Sequence, residues 1–225
     1  MPNFTYNEHR TFLVDQTATS LLLRGNMPLT HGGDFSYSQM ESKIDNLVPG
    51  WNLQTANLLI VSLLDNRSPE RSDLQLEFQS FGISPTDFDT LLPESVWPPH
   101  TNGVDLQTRY GTTVEGHNGS LLWYPVKGCT GADGCSVTED SLYAFSALVD
   151  LLHTLLSEEN TAVYFHCTTG NDRTGALAAC YLMKYKGLTL AQVKEGLVPG
   201  GAMLIAKPWE LGCDHLIDWY ASTLV

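Results

Sequence analysis

With 225 residues, 43% hydrophobic and 16% charged, the chain can bury a core, which excludes an intrinsically disordered protein and points to one domain over 1–225. Its 25 acidic residues against 12 Lys and Arg give a net charge of −13, so nucleic acid and anionic lipid surfaces are disfavoured partners at long range. The longest apolar stretches, such as Leu58 to Leu64, fall far short of the roughly 20 residues of a membrane helix, and the polar start from Met1 to Arg10 lacks the apolar core of a signal peptide.

Ser20 to Arg24 and Asn57 to Leu64 are short apolar runs bounded by turn residues and read as strands. The segment 84–119 carries Pro85, Pro93, Pro98 and Pro99 with little periodicity, and is expected to be an irregular insertion packed over the sheet. Ser120 to Val126 reads as a further strand. Leu142, Phe145, Val149, Leu152 and Leu156 then recur at helical spacing over Ser141 to Leu156, with a capping box of Ser136 and Glu139 starting that helix near Val137. Ala162 to His166 is the next strand. A helix from about Thr174 to Lys186 follows, stopped by Lys184, Lys186 and Gly187. Thr189 and Gln192 form a second capping box for a short helix closing at Gly196, and a final helix fits Trp209 to Ser222. Strands alternating with helices predict an α/β fold in three layers. Its central, mostly parallel sheet of about four or five strands is flanked by helices, those of the C-terminal half covering one face.

Five cysteines is an odd, modest number, which reads as a reduced protein of the cytoplasm, although a secreted effector would look the same. Cys129 and Cys135 are therefore expected to be reduced, although their spacing would allow a small disulfide, and Cys180 reads as core. The triplets at Asn3, Asn66 and Asn118 match a glycosylation signal too common to carry weight. His153 and His215 stand alone on helices with no second ligand at metal spacing.

The chemistry concentrates between Val163 and Gly175. Cys167 follows the buried strand, and Arg173 stands six positions later at the start of a helix. A strand-to-helix turn of this length can curl its main-chain N–H groups inward into an anion-binding nest, and the helix N-terminus adds partial positive charge. The same field favours the thiolate of Cys167 over the thiol. Arg173 offers a planar fork that grips two phosphate oxygens at once. A nucleophile aimed at the centre of a cradled phosphate is what phosphoryl transfer needs. A buried cysteine beside a surface arginine is the plain alternative, but His166, Cys167, Gly170, Arg173, Thr174 and Gly175 together are hard to obtain by accident.

At those six positions the loop resembles the Cys-x5-Arg signature of the protein tyrosine phosphatase superfamily. The following helix is similar to that of dual-specificity phosphatases through Gly175 to Ala179 and Tyr181 to Met183. The resemblance covers Ser120 to Leu197 well and the N-terminal half loosely. It implies that Cys167 forms a phosphocysteine and that Arg173 binds phosphate in ground and transition states. Thr168, Thr169, Gly170, Asn171 and Asp172 then complete the phosphate loop, His166 supports the thiolate, and the Thr174 hydroxyl assists breakdown of the intermediate. It implies no metal and no cofactor.

The family also needs an aspartate to protonate the leaving oxygen. Where dual-specificity members place it, after Tyr124-Pro125-Val126-Lys127, this chain has Gly128. Asp133, between Gly131 and Gly134 and 34 residues ahead of Cys167 (167 − 133), is the expected acid, with a plain turn as its other reading. Asp172 is the second candidate, because Asp-Arg at this point resembles myotubularin-like and Sac-like lipid phosphatases and some bacterial phosphatases. A carboxylate there is also stabilised by the helix dipole alone. Asp140 reads as a charge of the helix start.

The expected activity is hydrolysis of phosphate monoesters, with protein phosphotyrosine, and phosphoserine or phosphothreonine beside it, as substrate. The alternatives are a phosphoinositide or soluble inositol phosphate, suggested by Asp172-Arg173, and an RNA 5′-phosphatase, which the acidic charge disfavours. The non-enzyme reading is a pseudophosphatase that only binds phosphate. Neutral Thr168, Thr169 and Asn171 favour a singly phosphorylated partner.

Overall fold

Among the described residues seven strands pair side by side: β1 Phe12–Gln16, β2 Leu21–Gly25, β3 Asn57–Ser62, β4 Arg109–Tyr110, β5 Thr113–Val114, β6 His117–Trp123 and β7 Thr161–His166. Their order is β1-β2-β7-β3-β6-β4, with β5 on β6. The structure is a computed structural model and describes residues 2–67, 69–91, 108–126, 139–196, 198 and 212–224. The central strands β2, β7, β3 and β6 are mutually parallel, and β1, β4 and β5 add antiparallel edges.

The expected count of about four or five strands matches the parallel centre and misses the edges. β4 and β5 hold two residues each, too few to show a period, and β1 is a half-buried edge with mixed polarity. The expected irregular segment at 84–119 is corrected at both ends. Pro85–Leu91 is a helix, α3, and Arg109–Tyr110, Thr113–Val114 and the start of β6 are strands. Proline suits the first helical position, where its missing N–H costs nothing, and Ser84 Oγ accepts from the Asp87 N–H at 3.2 Å. Pro93, Pro98 and Pro99 lie outside the described residues.

Helices cover both faces of the sheet. On one face α1 (Tyr37–Leu47), α2 (Arg71–Ser80) and α3 bury Tyr37, Ile44, Phe78 and Phe88 against Leu58, Ile60 and Tyr164. On the other, α4 (Glu139–Leu156), α5 (Asp172–Lys186), α6 (Leu190–Lys194) and α7 (Gly212–Thr223) pack with Leu59, Val61, Val163 and Phe165. Successive strand residues thus alternate between two cores, which is why β3 and β7 are apolar without a break. This is a mixed α/β architecture with a central sheet flanked by helices.

The helices of the C-terminal half end close to their expected limits. Gly187 closes α5 in the left-handed region at φ 72°, and Thr189 with Gln192 forms both bonds of a capping box on α6. The Ser136 box ahead of α4 and the expected start of the last helix at Trp209 lie outside the described residues.

Candidate active site

The C-terminal ends of β7 and β3 lie next to each other, the edge at which parallel sheets collect ligands. β7 is buried along its whole length and delivers Cys167, only 2% exposed, into a loop that ends where α5 begins at Asp172. Gly170 turns that loop at φ +75°, and a Cβ there would lie 2.6 Å from the Gly25 carbonyl carbon and oxygen. Any side chain would therefore push the loop off the end of β2.

The loop's main chain is sorted by direction. Met27 N–H donates to the Thr168 carbonyl at 3.2 Å, Arg10 Nη1 to the Thr169 carbonyl at 2.7 Å, and Arg24 Nη2 to the Gly170 carbonyl at 2.7 Å. Among the described residues the N–H groups of Thr168, Thr169, Gly170 and Asn171 donate to no main-chain or side-chain acceptor. Carbonyls held outward and N–H groups without protein acceptors are the arrangement of an anion nest at a helix N-terminus.

Arg173, 7% exposed, reaches across the edge of the sheet. Its Nη1 donates to the carbonyls of Leu63 at 2.9 Å and Val126 at 3.0 Å and to Glu70 Oε2 at 2.9 Å, while Nη2 donates to Glu70 Oε1. Glu70 also accepts from the Thr168 hydroxyl at 2.5 Å and from the Asp65 N–H at 2.8 Å. Burial pushes the Glu70 carboxyl up, but the charge and hydrogen bonds of Arg173, with those of Asp65 and Thr168, outweigh it and hold the group below its usual value.

His166 is fully buried behind Cys167. Its Nε2 lies 2.6 Å from Glu77 Oε1 on α2, its Nδ1 lies 3.2 Å from the Cys167 carbonyl, and Ser62 donates to Glu77 Oε2 at 2.6 Å. The carboxylate fixes the ring's orientation and so its contact with the Cys167 carbonyl. Thr174 is buried, and its hydroxyl has no hydrogen-bond partner among the described residues.

The structure thus brings together His166, Cys167, Thr168, Thr169, Gly170, Asn171, Arg173 and Thr174. Asp172 is exposed in the first turn of α5. Asp133, Cys129 and Cys135 lie outside the described residues, and so does the side chain of Asp140. Sequence reasoning missed Glu70, Glu77, Arg10 and Arg24. The available signal was that the Asp65-Asn66-Arg67 turn follows an apolar strand, where α/β sheets place their sites. Among the described residues, no group of three or more His, Cys, Asp or Glu could hold a metal ion, and no helix is long and apolar enough to cross a membrane.

Residues 136–194, which contain the loop, match the family model described as "Tyrosine phosphatase family". No curated protein matches the chain. Among solved structures it is similar to human DUSP28, at 14% identity and a TM-score of 0.40, covering 95% of this chain and 94% of that one. It is also similar to P. aeruginosa TpbA, at 16% identity and a TM-score of 0.37, covering 89% and 86%. The match to the tyrosine phosphatase family thus rests on the segment that carries Cys167 and Arg173.

Proposed function

We propose that the chain is a cysteine-dependent phosphatase that hydrolyses phosphate monoesters through a phosphocysteine, with protein phosphotyrosine as its substrate class. One observation carries the reading: a buried cysteine opens a loop whose main-chain N–H groups have no acceptor among the described residues, and the loop leads into a guanidinium held by two carbonyls and a carboxylate. In the first step the Cys167 sulfur attacks phosphorus, the ester P–O bond breaks, and the leaving oxygen takes a proton from a general acid. In the second, water attacks the phosphocysteine and the P–S bond breaks. The thiolate is restored, and the water's proton returns to the acid. The nest and Arg173 hold the equatorial oxygens through both steps. The Thr174 hydroxyl, buried with no hydrogen-bond partner among the described residues, would donate to the departing thiolate. Asp133, outside the described residues, is the proposed acid on its sequence alone, 34 residues ahead of Cys167 (167 − 133) and flanked by Gly131 and Gly134, whereas Asp172 stands in the first turn of α5.

Two features support a singly phosphorylated substrate. Thr168, Thr169 and Asn171 add no positive charge, and Glu70 places a negative charge beside the cradle. A phosphoinositide is the second reading, favoured by the Asp172-Arg173 pair at the head of α5. A panel of phosphotyrosine peptides, phosphoserine peptides and phosphoinositides, assayed with a chelator present, tests both. The highest kcat/KM is expected on phosphotyrosine, and preferred hydrolysis of phosphoinositides would overturn that assignment. Binding of phosphate without turnover of any ester, including an activated aryl phosphate, would reduce the protein to a phosphate-binding module.

A further inference from the structure

The superfamily's loop is read from the segment around the cysteine, yet the hydrogen bonds that shape it here come from the other end of the chain. A peptide unit is planar and trans, so its C=O and N–H point in opposite directions. Turning the Thr168, Thr169 and Gly170 carbonyls out of the cradle therefore turns the N–H groups of Thr169, Gly170 and Asn171 into it. The groups that hold those carbonyls are Met27, Arg10 and Arg24.

We propose that Arg24, assisted by Arg10, is a positioning residue of the phosphate loop, holding the Gly170 and Thr169 carbonyls outward so that the nest is formed before phosphate arrives. The inference rests on the phosphatase reading of that loop.

Several observations separate Arg24 from an incidental core arginine. It is 1% exposed on β2, paired in register with Phe165, two residues before Cys167. Burying a guanidinium costs several kcal/mol unless charge and hydrogen bonds compensate. Here the Gly170 carbonyl and the face of the Phe12 ring, 5.9 Å from its centroid, supply part of that compensation. Burial pulls Arg24 down to about 10, opposed by attraction to Cys167 and Tyr164, so it is a cation at neutral pH whose field reaches the nucleophile. A neutral donor would hold the carbonyl equally well. A cation also raises the positive potential in which an anion and a thiolate are held. Arg10, on a 3-10 turn at Glu8–Arg10, repeats the contact one residue earlier from a partly exposed position.

The test compares Arg24→Met, Arg24→Lys and Arg10→Met with the wild type, each checked for folding by circular dichroism. Cys167 is alkylated with anionic iodoacetate and with neutral iodoacetamide, and inorganic phosphate is titrated as a protectant. A formed nest favours the anion, so Arg24→Met is expected to lower the iodoacetate-to-iodoacetamide rate ratio by about tenfold and to weaken phosphate protection in parallel. Arg24→Lys should recover part of the ratio through its charge, and Arg10→Met should show a smaller loss. General loosening would instead speed iodoacetamide. Folded Arg24→Met and Arg10→Met proteins with the wild-type ratio and protection would overturn the proposal. If Arg24→Met does not fold, Arg10→Met and Arg24→Lys decide it on the same readout. A wild type that turns over no phosphate ester would sink the phosphatase reading, while the alkylation ratio still decides the role of Arg24.

Discussion

Arg173 and Glu70 meet fork to fork: Nη1 donates to Oε2 at 2.9 Å and Nη2 donates to Oε1, with the side chains 8% and 16% exposed. The pair joins the head of α5 to the turn after β3 and fixes the plane of the guanidinium. Glu70→Gln keeps the shape and removes the charge, leaving Arg173 on the Leu63 and Val126 carbonyls. It is expected to destabilise the protein by about 1–3 kcal/mol and to lower kcat more than it raises KM. Urea unfolding and steady-state kinetics check this, and a variant matching wild type in both would remove Glu70 from the site.

The same pair sets a pH dependence. Glu70 is held below its usual value of 4.5 in the folded protein, so between that value and the depressed one the unfolded chain binds more protons. Its contribution to stability is present at neutral pH and is lost as pH falls through the folded value. The stability gap between wild type and Glu70→Gln should therefore be full above pH 4.5 and narrow on acidification. A gap that widened as pH fell would reverse the sign.

Glu77 is the buried partner of His166, the residue before Cys167. Glu77→Ala strips a partner from both His166 Nε2 and Ser62 Oγ in a fully buried setting, at about 1–3 kcal/mol for each unsatisfied group. Glu77→Gln retains an acceptor and should lose less. Chemical denaturation of the two variants decides it, and equal losses would point to packing alone.

Gly170→Ala places a methyl 2.6 Å from the Gly25 main chain at φ +75°. Because the obstacle is backbone, the loop must move. A stability loss of at least about 1–2 kcal/mol is expected, with phosphate or vanadate affinity falling in step. Wild-type affinity in the alanine variant would contradict the tight seat of the loop on β2.

The legible parts of the molecule were those written locally. β2, β3, β6 and β7 announced themselves because both faces of the sheet are covered, leaving at least three consecutive apolar residues in each. The loop from His166 to Gly175 was legible because its distinctive residues lie within ten consecutive positions between a strand and a helix. Its supports did not show, because they are distant in the chain. Arg173 meets Glu70 across 103 residues, His166 meets Glu77 across 89, and Gly170 meets Arg24 across 146. α2 was hidden for a related reason: two of its four buried residues, Asp73 and Glu77, are acidic and break the apolar stripe.

A general acid matters most when the leaving group is poor. Asp133→Asn is therefore expected to slow hydrolysis of an unactivated phenyl phosphate far more than that of a nitrophenyl ester. It should also flatten the basic limb of the kcat/KM profile. Asp172→Asn should depress both substrates alike. Leaving-group sensitivity confined to the Asp172 variant would move the acid into the loop and strengthen the lipid-substrate reading.

The central claim is that Cys167 carries the phosphoryl group. Acid-quenched wild type mixed with an aryl phosphate, digested and analysed by mass spectrometry, is the direct measurement. A phosphoryl adduct on the peptide containing Cys167 is expected, formed at a rate sufficient for turnover and absent in a Cys167→Ser protein that still binds vanadate. Turnover without that adduct, or a Cys167→Ser protein retaining more than about a hundredth of wild-type activity, would contradict the account.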